Sequence, residues 1–244
     1  MTDRSPQVTE ARTGDGEPIP PDRVARRVRR LARLAVVAQV AFVASWLLAA
    51  AWQGPRYSFL GHSISDMYAD TAPGAAFLIV VITLCGAATI WFAWRSLRPA
   101  LRPAGWPATV GSVLLALSVF GLGDLLTVSE REACRLADPG CTASSQVSNA
   151  GGTLDGTLTT VGLVVFVAAG FFLAAAMKRI GGWESWVRPV RWWMALMIVL
   201  LVGDAIGHNG GLSGLLERLI ALAGATGIAV LAAGVSRRSR TAAR

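Results

Sequence analysis

The sequence between residues 57 and 70, YSFLGHSISDMYAD, places one imidazole and two carboxylates between long apolar stretches. His62, Asp66 and Asp70 follow one another at intervals of four residues. In a helix this spacing puts side chains on one stripe, with neighbouring Cβ atoms about 5–6 Å apart. The spacing therefore predicts a site if the segment is helical. Ser65 and Asp66 also suit helix caps and turns, so a purely structural interpretation stays open.

A second pair with the same spacing, in reversed order, is Asp204 and His208. Two imidazoles and two carboxylates together could bind zinc, which accepts N and O ligands at about 2.0–2.2 Å and keeps a position for water in catalytic sites. The candidate zinc ligands are thus His62, Asp66, Asp204 and His208. The same four residues are candidate acid–base groups, because a hydrogen-bonded carboxylate can hold a histidine in the tautomer that acts as a base.

Other acidic residues interrupt the ends of apolar stretches. Asp124 and Asp204 are flanked by hydrophobic residues, and Asp155 and Glu217 stand near the starts of two further stretches. A carboxylate within a membrane segment is costly and usually faces the interior of a helix bundle. We expect these side chains near the outer ends of the helices, where they form, with Ser65, a pocket that binds a ligand. Simple hydration of each helix-end carboxylate is the alternative.

Arg218 follows Glu217 in the last apolar stretch. Adjacent helical residues point about 100° apart, so these two side chains need not pair with each other. We expect Arg218 to neutralise an acid of the pocket, either Asp204 or Asp124. The alternative is that its guanidinium binds a phosphate or carboxylate headgroup in the outer leaflet.

The composition is that of a membrane protein. Hydrophobic residues make up 53% of the 244 residues and charged residues only 16%, against about 25% charged residues in soluble domains. Each bilayer crossing needs roughly 20 apolar residues, and lipid favours the helix as the spanning form. The predicted fold class is therefore all-α, a bundle of six transmembrane helices. The apolar stretches are Leu31–Trp52, Gly74–Trp94, Ala108–Val128, Leu154–Met177, Trp192–Gly207 and Leu212–Val235.

Lysine and arginine are distributed unequally between the two sides of this bundle. Seventeen lie in the segment from Arg23 to Arg33, in the 2–3 and 4–5 connections and in the C-terminal tail, whereas three lie in the opposite connections. Cytoplasmic loops of membrane proteins are enriched in these residues. We therefore predict a multi-pass protein of the cell membrane with both termini in the cytoplasm. The three residues on the predicted outer side are Arg56, Arg131 and Arg135.

Basic tails are predicted at both ends of the chain, over residues 1–30 and 237–244, around a transmembrane domain of residues 31–236. The first tail begins with polar sequence rich in Pro and Gly, which is typical of disorder. Its RVARRVRRLAR stretch can fix the orientation of the first helix or bind anionic lipid headgroups. Since the positive charge flanks membrane segments, it does not indicate nucleic acid as a partner.

Two of the three cysteines occur in the 3–4 connection, in the sequence CRLADPGC. Cys134 and Cys141 flank a Pro-Gly turn on the predicted outer side, where disulfides form and persist. A disulfide between them is predicted, with two free thiols as the alternative. Cys85, in the second apolar stretch, is interpreted as a small packing residue.

Four short segments together resemble a bacterial and archaeal membrane family, domain of unknown function 998. The most telling element is Ser63 with Ser65 and Asp66. The resemblance, over about residues 35–235, implies a six-helix membrane protein and no established activity. The four segments are YSFLGHSISDM before the second helix, the Asp138–Pro139 turn, LDGTLTTVG at the fourth helix and GLLERL in the sixth.

The chain departs from this family at the start of the fourth helix. Relatives tend to show HGxxH there, whereas this chain has Asp155 and Thr159 in the two histidine places. If the histidines of relatives carry chemistry, this chain either uses Asp155 in their place or lacks that chemistry.

Three functions stay open, in decreasing order of preference. The first is a non-enzymatic membrane protein whose outer polar cluster is structural or binds a lipid headgroup or small ligand. The second is a membrane-embedded hydrolase or transferase, zinc-dependent or not, that acts on lipids at the outer leaflet. The third is a small transporter, for which charges near the middle of the membrane are expected. No oligomeric state is predicted.

Overall fold

The structure is a computed structural model that describes residues 21–207 and 211–241, and these residues are mainly helical. The prediction of an all-α fold is confirmed for them. After α2 the chain continues through a π-helical turn, Ala93–Leu97, and two further short helical turns before α3. The long helices are α1 (Pro21–Ala49), α2 (Ala75–Phe92), α3 (Trp106–Leu117), α4 (Ala150–Lys178), α5 (Glu184–Gly207) and α6 (Ser213–Thr241).

The third apolar stretch is not a straight helix. α3 ends at Leu117, and after the extended residue Ser118 the chain forms a π-helical turn, Val119–Gly123, and one α-helical turn, Asp124–Leu126. The axis bends by 45° between the two parts. Among the described residues, five helices are each long and apolar enough to cross a membrane, or six if the bent pair counts as one span. The protein is therefore a multi-pass membrane protein.

Glycines allow close helix packing at this bend. A Cβ at Gly86 in α2 would lie 2.4 Å from the amide nitrogen of Leu125 and 2.8 Å from the carbonyl carbon of Asp124. A Cβ at Gly162 in α4 would lie 2.6 Å from the amide nitrogen of Val119. Small residues at such positions let membrane helices approach each other's backbones. The bent segment is thus wedged between α2 and α4.

The helices differ in how far their surfaces are buried within the protein. α6 packs along α1, and 61% of its apolar stretch is buried, whereas α5 packs on α4 and α6 and has 11% buried. Exposed apolar side chains such as Trp192 and Val199 cover the outer face of α5. α6 is therefore central although it is last in the sequence, and α5 is an edge helix with a lipid-facing surface.

The terminal helices extend beyond the predicted domain boundaries. α1 begins at Pro21, within the tail predicted to be disordered, and α6 continues to Thr241. Arg29 Nη1 donates a hydrogen bond of 2.8 Å to the Ser239 carbonyl. Because the two basic segments pack against each other and arginine is a good helix former, both stay helical outside the apolar core. The first twenty residues lie outside the described part of the chain.

Two connecting segments cover one end of the bundle, and we call them together the cap. They are residues 53–74, between α1 and α2, and residues 127–149, between the bent segment and α4. The Asp70 amide donates a hydrogen bond of 2.8 Å to the Glu132 carbonyl, which joins the two segments. The opposite end, with the arginine-rich connections and helix ends, is called the basic end.

The second cap segment contains the predicted disulfide. Cys134 and Cys141 are bonded, with their Cα atoms 6.1 Å apart, and this prediction is confirmed. Cys85 is a buried free thiol in α2. Its Sγ donates to the Ala38 carbonyl of α1 at 3.0 Å, which agrees with a packing role.

Candidate functional site

The first cap segment sets the positions of His62, Asp66 and Asp70. Its helical part is only a 3₁₀ turn, Ser65–Tyr68, so the three side chains do not share a helical stripe. Asp70 lies instead at the surface of the cap and forms an ion pair of 3.2 Å with Arg131. His62 and Asp66 do come together, with 3.8 Å between Nδ1 and Oδ2.

Asp66 is fully buried and accepts hydrogen bonds from the second cap segment. The Leu136 amide and the Gln146 side-chain amide donate to Oδ1 at 2.5 Å and 3.2 Å. Oδ2 is buried without a hydrogen-bond partner. The nearby His62 Nδ1 accepts a hydrogen bond from the Ser58 amide at 3.1 Å, so the neutral ring carries its proton on Nε2. His62 thus does not donate to Asp66 in this tautomer.

A second buried carboxylate, Glu132, shares partners with Asp66. Ser65 Oγ donates to Glu132 Oε1 at 3.0 Å, and Gln146 Nε2 donates to Oε2 at 2.6 Å. One amide group therefore bridges two carboxyl groups. Sequence reasoning missed Glu132 and Gln146 as site residues, because they stand 67 and 80 positions away from their partners in the first cap segment. The only available signal was their place in the connection that the topology puts beside residues 53–74.

Helix α4 contributes the third carboxylate. Asp155 is buried, and the Tyr68 hydroxyl donates to its Oδ1 at 3.0 Å. Asn149 begins the helix by accepting a hydrogen bond from the Gly152 amide at 2.7 Å, as Asn commonly does at an N-cap. Because α4 begins after Asn149, Asp155 lies in the second turn of the helix, directly under the two cap segments. Asp155, predicted from the sequence as a ligand-binding residue, therefore belongs to this polar cluster.

Helix α6 holds the first cap segment through its first turns. Glu217 Oε2 accepts a hydrogen bond from the Ile64 amide at 3.1 Å. The Leu215 amide donates to the Leu60 carbonyl at 2.9 Å. Glu217, predicted as a ligand-binding residue, thus accepts a hydrogen bond from a backbone amide of the first cap segment.

Arg218 of α6 also forms hydrogen bonds with the first cap segment. Its Nη1 donates to the His62 carbonyl at 2.6 Å, and its Nη2 donates to the Tyr57 hydroxyl. The side chain is only 2% exposed. Arg218 thus holds the backbone of the first cap segment. Its neutralisation of Asp204 or Asp124 stays a prediction, as does the alternative that it binds a lipid headgroup.

Asp124 stands at the helix end expected from the sequence, in the last turn of the bent segment, and it lies beside the middle of α2. Its backbone packs against Gly86, the twelfth residue of α2, which is about 16 Å along that helix from Ala75. Asp124 is buried, and its Oδ2 has no hydrogen-bond partner. Glu130 is buried in the same way, with an unpartnered Oε1, and is close enough to interact electrostatically with Asp124 and Asp155.

The carboxyl row is the name we give to Asp66, Glu132, Asp155, Glu130 and Asp124. These side chains are all less than 9% exposed. They run from the cap, beside His62, to the bent segment within the membrane domain.

Comparison with known sequences places the chain in a family. The family described as "Protein of unknown function (DUF998)" matches residues 36–234, from α1 to α6 with the cap included. The chain belongs to this family. The resemblance carried by Ser63, Ser65 and Asp66 is thereby confirmed. No curated protein and no solved structure matches the chain significantly.

In this DUF998 protein, burial raises the pKa of the acids under the cap. The pKa of Glu132 is raised to about 8, first by burial and then by the Asp155 carboxylate. The pKa of Glu130 is raised to about 8 for the same two reasons. Burial also raises the pKa of Asp66, although the hydrogen bond from the Leu136 amide acts in the opposite direction. Glu130 and Glu132 therefore keep their protons to a higher pH than exposed carboxyl groups do.

At the rim of the cap, the half-buried acid Asp138 differs from the buried acids in the direction of its pKa shift. Arg135 Nη2 lies 2.5 Å from Asp138 Oδ1, and hydrogen bonds from Arg135 lower the pKa of Asp138. Arg135 also donates to the Gln53 carbonyl at 3.1 Å, which joins the rim to the end of α1. The rim thus contains arginine–carboxylate pairs, whereas Asp66, Glu132 and Asp155 in the interior accept hydrogen bonds from amide and hydroxyl groups.

The predicted zinc ligands are only partly described. His208 lies outside the described residues, and Asp204 lies near enough to Glu217 for their carboxylates to repel each other. Within the described residues, no three His, Cys, Asp or Glu side chains are arranged so that they could hold a metal ion. The zinc set of His62, Asp66, Asp204 and His208 stays a prediction.

Proposed function

We propose that this protein is a non-enzymatic, proton-responsive membrane protein. The carboxyl row binds and releases protons close to neutral pH, and its charge controls how firmly the cap sits on the helices. One observation carries the proposal: buried carboxyl groups continue from His62 in the cap to Asp124 beside Gly86. Chains of acidic residues and histidines are the usual construction of proton relays in membrane proteins.

Glu130 and Glu132 are buried, and no neighbouring cation opposes the rise in their pKa values. An ionised carboxylate taken out of water is costly unless it is paired, so a buried carboxyl group tends to keep its proton. The Gln146 amide donates to Asp66 and Glu132 together. While at least one of the two acids is protonated, this contact carries no more than one negative charge. When both ionise, two negative charges repel each other across one amide. Deprotonation therefore loosens the contact between the two cap segments.

The direction of the pH effect follows from the raised pKa values. Glu130 and Glu132 have ordinary values of 4.5 and values of about 8 in the folded protein. At pH values between these two pKa values, the folded protein binds more protons than the unfolded chain. Its free energy of unfolding therefore falls as the pH rises. The stabilisation is complete below about pH 4.5 and is lost as the pH passes about 8.

The proposal includes an orientation. Six helices cross the cell membrane, with α3 and the bent segment counted as one span, both termini face the cytoplasm, and the cap faces outwards. Seventeen Lys and Arg residues in the segment from Arg23 to Arg33, the basic connections and the C-terminal tail, against three in the cap, support this orientation. The cap disulfide also fits an oxidising exterior.

The hydrogen bonds of the site favour the binding of protons over the hydrolase or transferase hypothesis. Asp66 Oδ1 already has two donors, and His62 Nδ1 has one. A hydrolase that used these atoms would first have to break those bonds. The transporter hypothesis gains from the depth of Asp124, because a carboxyl group within the membrane is what it required. A proton-responsive site is the property that both a sensor and a proton-coupled transporter would share.

Thermal unfolding of the purified protein in lipid nanodiscs, from about pH 5 to about pH 9, tests the proposal. The wild-type melting temperature should fall as the pH rises. Glu132→Gln and Glu130→Gln each remove one titrating group of similar shape and should weaken this dependence. Asp70→Asn is the matched control, because Asp70 is in the same cap but is 46% exposed and paired with Arg131.

Infrared spectroscopy gives a second measurement that does not depend on unfolding. The carbonyl stretch of protonated carboxyl groups should disappear as the pH rises past about 8, and part of this signal should be missing in Glu132→Gln. A wild-type melting temperature that is independent of pH, together with no protonated carboxyl signal at neutral pH, would refute the proposal.

A further inference from the structure

An apolar cavity lies between α3, α4, α5 and α6, on the side of the basic end. Its volume is about 160 Å³, which is close to that of cavities that accept a benzene molecule. The lining contains no charged residue. It includes Leu173 and Met177 near the end of α4, Trp186 and Trp193 of α5, and Leu231 of α6. The cavity is therefore apart from the carboxyl row in both position and chemistry.

Helix α5 does not close this cavity. Pro189 stands within the helix and lines the cavity wall. A proline in a helix interior removes one backbone hydrogen bond and disturbs close packing. Val230 of α6 lines the cavity as well and is 50% exposed, so the cavity reaches the lipid-facing surface. The side chains that line an empty cavity lose dispersion contacts. In a membrane, the acyl chains of lipids are the neighbouring groups that can fill the cavity.

Aromatic and basic residues adjoin the cavity at the basic end. Trp186 lines the cavity, and its ring centroid lies 5.7 Å from that of Trp183. The Arg238 guanidinium lies 4.3 Å from the Trp183 ring centroid. Arg188 and Arg191 are exposed and are next in sequence to the lining residues Pro189 and Val190. The mouth of the apolar cavity at the basic end is thus surrounded by tryptophans and arginines, which we call the cavity rim.

We propose that this cavity binds an acyl chain of an anionic phospholipid from the leaflet at the basic end. The end of the chain enters past Val230, and the phosphate lies at the arginines of the rim. Arginine matches phosphate geometrically with two parallel hydrogen bonds, and basic residues near the surface attract anionic lipids. The charge of the rim selects the anionic lipid, and the shape of the cavity selects the site. This inference is independent of the proton-responsive function.

The experiment uses the full-length protein in nanodiscs of phosphatidylglycerol and phosphatidylcholine. A trace of photoreactive phosphatidylglycerol carries a diazirine at the end of one acyl chain, and crosslinked peptides are mapped by mass spectrometry. We expect crosslinks concentrated at Leu173, Trp193 and Leu231. Val230→Trp should block the entrance and remove most of them. Val164→Trp is the matched control, because Val164 of α4 is 63% exposed and does not line the cavity.

A second pair of variants tests the charge of the rim. Arg188→Gln with Arg191→Gln should reduce the preference for photoreactive phosphatidylglycerol over photoreactive phosphatidylcholine by roughly fivefold for each arginine removed. Arg30→Gln with Arg33→Gln removes the same charge from exposed positions of α1 and should leave the cavity crosslinks unchanged. Crosslinks spread evenly over the lipid-facing residues would overturn the proposal, as would equal labelling by the two lipids in the wild type.

Discussion

The cap and the basic end differ in where their charged side chains lie. At the basic end, arginines lie over tryptophans, with Arg98 and Arg238 each 4.3 Å from a ring centroid. In the cap, carboxyl groups are buried and bonded to residues 67 or 80 positions away. Arginines at a membrane surface keep their charged heads hydrated, whereas a buried carboxyl group needs a donor or a proton. Charged side chains therefore lie at the surface at one end of the protein and within its interior at the other.

The largest difference in stability between the two ends is expected when an arginine is replaced by alanine at each end. Arg218→Ala removes a buried clamp that holds the His62 carbonyl and the Tyr57 hydroxyl. Because hydrogen bonds to a charged group are each worth about 1.5–3 kcal/mol, we expect a loss of about 3 kcal/mol or more in the free energy of unfolding. Arg98→Ala at the basic end removes a surface contact with Trp94 worth about 0.5–1 kcal/mol.

Thermal unfolding in nanodiscs measures both effects, and proteolysis of the cap provides a local measurement. Arg218→Ala should make residues 53–74 sensitive to protease at temperatures at which the helices are intact. Equal losses of stability in the two variants would show that the cap is not held more tightly by charge than the basic end.

The close packing beneath the carboxyl row gives the next largest effect. In Gly86→Ala, the new methyl group would lie 2.4 Å from the Leu125 amide nitrogen, and such overpacking costs about 1–3 kcal/mol. Gly156→Ala in α4 is the control, since no atom lies within 4 Å of its Cβ position. That variant should be neutral or slightly stabilising because alanine favours helix. Similar melting temperatures for the two variants would argue against a wedged bent segment.

The disulfide is expected to have a moderate effect that is confined to the cap. Replacing Cys134 and Cys141 by serine opens a loop of seven residues and should cost about 2 kcal/mol. The same thiols test the orientation. After reduction of intact cells, a membrane-impermeant maleimide should label them, while the buried Cys85 stays unlabelled. Labelling that requires permeabilised cells would reverse the assignment of the two sides.

The smallest expected signal is the metal content. If protons alone occupy the carboxyl row, purified protein that has not met a chelator should contain no stoichiometric zinc. Measurement of bound metal in the wild type, in His62→Ala and in His208→Ala checks this. Stoichiometric zinc that is lost in both variants would contradict the proton-responsive proposal and would favour the hydrolase or transferase.

The features that the sequence predicted correctly depend on composition or on short spacing. Hydrophobic stretches predict helices wherever they occur, and the pair Cys134 and Cys141 was recognised because only seven positions separate the two. The family was recognised from the Ser63, Ser65 and Asp66 element. His62 and Asp66 were expected together and do lie together, although on a 3₁₀ turn in place of a longer helix.

By itself, then, the sequence determined the membrane class, the helical fold, the family and the disulfide, since each follows from local composition and spacing. Only the tertiary structure decided that Glu132 and Gln146 meet Asp66, that Arg218 clamps the cap, and that Asp124 lies deep beside Gly86. These contacts join residues that are distant along the chain. They arise from the bend after Ser118 and from the way in which two loops fold over helix ends, and no local repeat in the sequence records either one.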